Sequence, residues 1–179
     1  MIPDLSDFRN TKDLFILFFA IVTVDCFVLF LTRYFPRFFG RPLNDWYDKY
    51  RLNAVLCDVL SIFLGFLITR YIYSSFFAPI YGFNPMMFLI LLIIVQAVHD
   101  IVFYFFVIEA LPVGANEMID TFKEYSKAGP VIIAGDSLLM LGSAFVAFYF
   151  KTQPDHVVAS ISALVSYALT YILYTRRVF

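Results

Sequence analysis

The chain has 179 residues, of which 61% are hydrophobic and 20% are aromatic, including 23 Phe and 12 Tyr. This composition is far more apolar than a soluble domain of the same length needs, and it is typical of a polytopic membrane protein. The formal net charge of −1 gives no electrostatic basis for binding nucleic acid. We therefore expect an all-α, polytopic transmembrane bundle, formed by one domain over residues 1–179, with the lipid bilayer as its partner.

Apolar segments long enough to cross a bilayer, which takes ~20 helical residues, recur along the chain. The five predicted spans are residues 13–33, 52–73, 86–108, 131–150 and 157–174. Asn10 and Thr11 form a cap-like pair before the first span, and Asn84 supplies an N-cap before the third. Pro154, in the short linker before the last span, predicts an antiparallel hairpin and not one continuous helix.

The connections alternate between short and long. Residues 74–83 and 151–156 are predicted as short loops, whereas residues 34–51 and 109–130 form long ones. In the first long loop, Trp46, Tyr47 and Tyr50 are typical of an interfacial aromatic belt. This loop is also compatible with an outward extension of the second span by about two turns.

The second long loop contains an amphipathic helix, predicted over residues 117–128. Asn116 is its expected cap, and Gly129 follows its last residue. One face of the helix is apolar and consists of Met118, Ile119, Phe122 and Tyr125. We expect this helix to lie along the membrane interface.

The distribution of basic residues predicts the orientation of the spans. Four of the 13 Lys and Arg residues lie on the side of the N-terminus, and nine lie on the side of the long loops. The positive-inside rule then places the long loops and the C-terminus in the cytoplasm, with the N-terminus outside or in a lumen. The acidic segment 1–13 lacks a basic n-region, so we expect no cleaved signal peptide.

Each of the first four predicted spans carries one aspartate, and these are Asp25, Asp58, Asp100 and Asp136. At 1.5 Å per helical residue, each lies ~8–12 Å from the end of its span that is predicted to be cytoplasmic. Because neighbouring spans are antiparallel, the sequence predicts that the four acids lie in one layer and approach a common centre. In the third span, Gln96 and His99 share a helix face with Asp100.

These six polar residues are the candidates for a proton or cation pathway. One charged Asp at the centre of a membrane helix costs ~2.5–3.5 kcal/mol on insertion scales. Several ionised acids would also repel one another, so some should be protonated, or a cation should share the site. His99 is the titratable base at that level. The leading hypothesis is therefore an integral membrane protein with a buried Asp/His centre that carries a proton- or cation-linked flux.

Two alternatives remain open. In the first, the acids only hydrogen-bond helices together in a structural or assembly protein of a viral membrane. In the second, the chain is a metal-dependent membrane enzyme, for which the candidate ligands are His99, Asp100, Asp58 and Asp136. The sequence contains no HExxH, GxSxG, Walker or GxGxxG motif, so no motif identifies a catalytic residue or requires a cofactor.

Two further features stay open at this stage. Cys26 and Cys57 show no metal-type spacing and suit small apolar core positions, and they could form a disulfide only if their helices touch. A homo-oligomer is compatible with the sequence.

Several stretches resemble multi-span membrane proteins encoded by large DNA viruses of algae and other protists. They are NDWYDKYRLNAVLCDVL (44–60), NPMMFLILLIIVQAVHDIVFYFFVIEALP (84–112), NEMIDTFKEYSK (116–127) and GDSLLM (135–140). The resemblance implies a protein inserted in a host membrane or a virion-internal membrane, and it implies no particular activity or functional residue.

Overall fold

The computed structural model describes residues 2–127 and 129–175, with the backbone alone for residues 36–42 and 130. All regular structure in these ranges is helical. The helices are α1 (Lys12–Tyr34), α2 (Pro36–Tyr50), α3 (Leu52–Tyr81), α4 (Pro85–Ile108), α5 (Glu117–Ser126), α6 (Pro130–Lys151) and α7 (Asp155–Tyr174). Five of them, α1, α3, α4, α6 and α7, are long and apolar enough to cross a membrane. The predicted helical bundle with five candidate spans is therefore confirmed.

Four of the long helices form a ring. Both α1 and α4 pack against α3 and α6, while α7 packs against α1. The interior of the ring is filled by fully buried apolar side chains such as Leu17, Phe66 and Met140. Gly65 leaves room for the Met140 side chain, whose Cε atom would lie 2.5 Å from a Cβ at this position. The outer faces carry large exposed apolar residues, as expected for helices that face lipid.

The second long helix is longer than the sequence predicted. The predicted span 52–73 continues to Tyr81, so the prediction that residues 74–83 form a loop is wrong. A π-helical turn at Tyr73–Phe77 precedes Pro79, which has no N–H to donate. The helix ends at Tyr81 and is followed by Gly82, whose φ of 66° lies in the left-handed region.

The first long loop is mostly a separate helix, α2, and not an extension of α3. Arg51, with a φ of 51°, makes the turn between the two helices. Trp46 and Tyr47 are buried, at 4% and 2% exposure. Their assignment to an interfacial belt is therefore wrong, because α2 packs against α1 and α3 and directs both rings into the protein.

Helix α5 forms where the amphipathic helix of the second long loop was predicted. The side chain of Asn116 accepts hydrogen bonds from the backbone N–H groups of Met118 and Ile119, as expected of its N-cap. The helix ends at Ser126, short of the predicted residue 128, and Ala128 lies outside the described residues. It packs against Tyr104–Ile108, a π-helical turn that ends α4.

The two ends of the bundle differ in chemistry. The α2 end, named for the helix that lies there, also holds α5. At the opposite end, the N-terminal end, Asp13 lies 2.7 Å from Lys151 Nζ and 3.5 Å from Arg70 Nη2. We name these three residues the Asp13 ion cluster. The segment before α1 covers them, since its backbone carbonyls accept hydrogen bonds from Arg70 and Lys151.

Candidate functional site

The four aspartates singled out by the sequence lie on the four helices of the ring, one on each. We name Asp25, Asp58, Asp100 and Asp136 the carboxylate cluster. Electrostatic interactions connect Asp25 with Asp58, Asp58 with Asp136, and Asp136 with Asp100. The structure thus brings the predicted acids together.

Asp25, on α1, is the most deeply buried member, at 1% exposure. Its Oδ1 atom accepts a hydrogen bond of 2.9 Å from the hydroxyl group of Tyr47. Tyr47 belongs to α2, which is outside the ring, so a helix from the connecting segment supplies the donor to the ring's innermost acid.

Asp58, on α3, also receives its donor from α2. The indole N–H of Trp46 donates to Asp58 Oδ2 at 3.3 Å. Tyr47 interacts with Asp58 as well as with Asp25 and therefore lies between these two carboxyl groups. Burial and these two acids raise the pKa of Tyr47 well above its ordinary value, so its hydroxyl keeps its proton and stays a donor at physiological pH.

The polar face of α4 is assembled as its spacing predicts. The side-chain amide of Gln96 donates to Asp100 Oδ1 at 2.7 Å, and His99 Nδ1 lies 3.2 Å from the same oxygen. His99 and Asp100 are partly exposed, whereas Gln96 is buried. Asp136, on α6, interacts with both His99 and Asp100. All six predicted site residues therefore form one polar region.

Several buried acceptor oxygens in this region are unsatisfied. Asp25 Oδ2, Asp100 Oδ2 and Gln96 Oε1 are buried and lack a hydrogen-bond partner among the described residues. A buried acceptor left unsatisfied costs ~1–3 kcal/mol, and more if it is charged. Only a donor or a positive charge can satisfy these oxygens, so the geometry favours binding of protons, water or a cation.

Three aromatic rings link α2, α5 and α4 beside the carboxylate cluster. The ring centroid of Phe122 lies 4.9 Å from that of Trp46 and 6.0 Å from that of Phe103. Phe103 in turn stacks on His99, with 5.9 Å between centroids and 9° between planes. We name Trp46, Phe103 and Phe122 the aromatic cap. Trp46, at one end of this row, donates a hydrogen bond to Asp58, and Phe103, at the other end, stacks on His99.

Tyr125 reaches the cluster from α5. It interacts electrostatically with Asp58, and its hydroxyl is a buried polar group without a partner among the described residues. Burial, with a smaller contribution from Asp58, raises the pKa of Tyr125. Like Tyr47, it stays a neutral donor at physiological pH.

The sequence interpretation missed Trp46 and Tyr47 as partners of the acids. A signal was present, because Leu43, Trp46, Tyr47 and Tyr50 have the i, i+3, i+4, i+7 spacing of one helix face. Such a face in a connecting segment indicates a helix that packs on something apolar, which here is the bundle.

The proposed metal ligands do not form a recognisable metal site. Among the described residues, no group of three or more His, Cys, Asp or Glu has an arrangement that could hold a metal ion. His156 is exposed at the N-terminal end, and Cys26 and Cys57 are free thiols. The enzyme hypothesis thus gains no support from His99, Asp100, Asp58 and Asp136.

Comparison with family models, curated proteins and solved structures finds no match, so the site is interpreted from its own geometry.

Proposed function

We propose that the chain is a multi-pass integral membrane protein that carries protons or a small cation through its carboxylate cluster, with the α2 end in the cytoplasm. The observation that carries this proposal is a set of unsatisfied buried acceptors. Asp25 Oδ2, Asp100 Oδ2 and Gln96 Oε1 lie in one polar region, and none of the three accepts a hydrogen bond from the described residues.

Protons suit this arrangement because four carboxylates linked by successive electrostatic interactions, from Asp25 through Asp58 and Asp136 to Asp100, resist simultaneous ionisation. A proton bound by one acid relieves the repulsion felt by its neighbours, which is the property that a proton-binding centre needs. The partners on the described residues are neutral donors, namely Tyr47, Trp46 and Gln96, together with His99. Neutral donors orient the acids without fixing their charge.

Flux measurements in proteoliposomes test the proposal. An imposed pH gradient should drive proton or cation movement with wild-type protein, and Asp100→Asn should abolish it while the helical content stays unchanged. Asp155→Asn is the matched control, because Asp155 is an exposed acid in the first turn of α7. The proposal fails if wild-type vesicles are as tight as empty ones, or if the two variants behave alike.

A structural or assembly role in a membrane is the second candidate. It is favoured by the hydrogen bonds that tie α2 to the ring, from Tyr47 to Asp25 and from Trp46 to Asp58. The resemblance to membrane proteins of large DNA viruses suggests a host or virion membrane as the location. Under this candidate the vesicles show no flux, and Asp100→Asn changes little because Asn also forms hydrogen bonds.

A further inference from the structure

The aromatic cap lies where α5 meets α2 and α4, and α5 holds its central ring. Phe122 contacts Trp46 on one side and Phe103 on the other. These neighbours are the groups that touch Asp58 and His99. Removal of Phe122 from this row would break both ring contacts and leave Asp58 and Asp100, which are partly exposed, more open to water.

Polar contacts at the α2 end hold α5 over the cluster. The hydroxyl of Tyr50 donates to the backbone oxygen of Glu117 at 2.7 Å and lies 2.7 Å from Thr121 Oγ1. Lys49 Nζ lies 3.1 Å from Glu117 Oε1 in an exposed pair. Such contacts contribute on the order of 1 kcal/mol each, so they can be broken and remade easily.

The backbone on both sides of α5 has positions suited to movement. Gly114 and Gly129 have φ values of 88° and 60°, and a Cβ atom added at either would meet no atom within 4 Å. The N–H of Gly114 donates to Asp120 Oδ2 of α5 at 3.0 Å, a contact that can move with the helix, and glycine adopts these φ values without strain, so both residues are suitable hinge positions. The surface beneath α5 is the π-helical turn Tyr104–Ile108, and such turns are frequent at functional sites.

We infer that α5 is a movable lid and that Phe122 is the gating residue, whose ring controls access from the α2 end to Asp58 and Asp100. This inference rests on the proposed function, since a proton or cation pathway needs a controlled entrance. In the closed state described here, Phe122 joins Trp46 to Phe103. In the open state, α5 swings on Gly114 and Gly129, and the partly exposed acids become more accessible to water.

Carbodiimide modification of the acids tests the lid without measuring flux. A water-soluble carbodiimide and an amine are added to the purified protein in micelles at one fixed pH, and mass spectrometry measures how far Asp58 is modified relative to exposed Asp155. Phe122→Ala should raise this ratio at least about tenfold. Phe122→Leu should raise it less, because leucine is larger than alanine and fills more of the space left by the ring. Phe106→Ala is the matched control, because Phe106 has an exposed ring and lies in the π-helical turn Tyr104–Ile108 of α4.

A second variant leaves the ring in place. Thr121→Val keeps the shape of the side chain but removes the contact with the Tyr50 hydroxyl, so the lid should open more often and the ratio should rise. Equal modification of Asp58 in wild type, Phe122→Ala and Phe106→Ala would overturn the inference, as would an unchanged ratio in Thr121→Val. If the lid variants behave as expected but wild-type vesicles show no flux, the gate stands and the proposed function fails.

Discussion

Removal of the negative charge from the Asp13 ion cluster should strongly destabilise the fold. Asp13 and Arg70 are almost completely buried, at 1% and 0% exposure. In Asp13→Asn, Arg70 would keep its hydrogen bonds to the backbone carbonyls of Asp7 and Asn10 but would lose its carboxylate. Two of its nitrogens, Nε and Nη1, already lack a partner among the described residues.

The expected loss is set by the buried arginine. Breaking a buried ion pair by removing one partner costs ~3–5 kcal/mol, because the other charge stays buried without compensation. Lys151 also contacts Asp13, but its side chain is 22% exposed and can turn to water. Asn retains one acceptor oxygen, so we expect Asp13→Asn to cost about 3 kcal/mol, near the lower end of the range for buried pairs.

Reversible unfolding in mixed micelles measures this loss as a change in the free energy of unfolding. Asp155→Asn provides the control at the same end of the bundle and should change the free energy by less than ~0.5 kcal/mol, as is usual for exposed positions. Lys151→Met should also destabilise the fold, but by less than Asp13→Asn, because buried Asp13 loses its contact at 2.7 Å and keeps Arg70 at 3.5 Å. If Asp13→Asn costs no more than Asp155→Asn, the assignment of Arg70 as a cation that depends on Asp13 is refuted.

Three further predictions concern the α2 end. Tyr47→Phe should cost ~1.5–3 kcal/mol in the same unfolding assay, because the Asp25 carboxylate loses its donor; a loss below ~0.5 kcal/mol would contradict the hydrogen bond. Since burial raises the pKa of Tyr47, the folded protein keeps the phenol proton above pH 10 while the unfolded chain loses it. Relative to Tyr47→Phe, wild type should therefore lose ~1.4 kcal/mol of stability per pH unit above ~10. If the free energies of unfolding of the two proteins change in parallel above this pH, the raised pKa of Tyr47 is contradicted. A cysteine at exposed Lys49 should react with an impermeant maleimide only from the cytoplasm, and labelling from outside in intact cells would reverse the proposed orientation.

The position of the carboxylate cluster could be predicted because it depends on helix geometry alone. Once the spans are placed, the rise per residue fixes the depth of each side chain. Antiparallel neighbours then bring Asp25, Asp58, Asp100 and Asp136 to one level. Errors of a few residues at the span ends, such as the early end assigned to the second span, do not change this result. The depth of Asp58 is measured from the first residue of that helix, and the predicted start at Leu52 was correct.

The partners of the acids could not be predicted in the same way. Trp46 and Tyr47 are chemically suited both to a membrane interface and to the interior of a bundle. Which environment they enter depends on where α2 packs, and that depends on the turn at Arg51 and on contacts with α1 and α3. No local pattern within residues 36–50 contains this information. The amphipathic spacing indicates only that one face of the helix is covered.

The buried acids have different kinds of partner at the two ends of the bundle, and this difference bears on function. At the N-terminal end, buried Asp13 is compensated by the permanent cations Arg70 and Lys151. At the α2 end, the cation Arg33 is paired with Asp48 at 2.6 Å, and the carboxylate cluster contacts neutral donors and His99 instead. A permanent cation fixes an acid in its ionised form, so the Asp13 ion cluster is suited to holding the helices together. Acids that face neutral donors can bind and release protons without breaking an ion pair, which is why we propose the α2 end as the place where charge is exchanged.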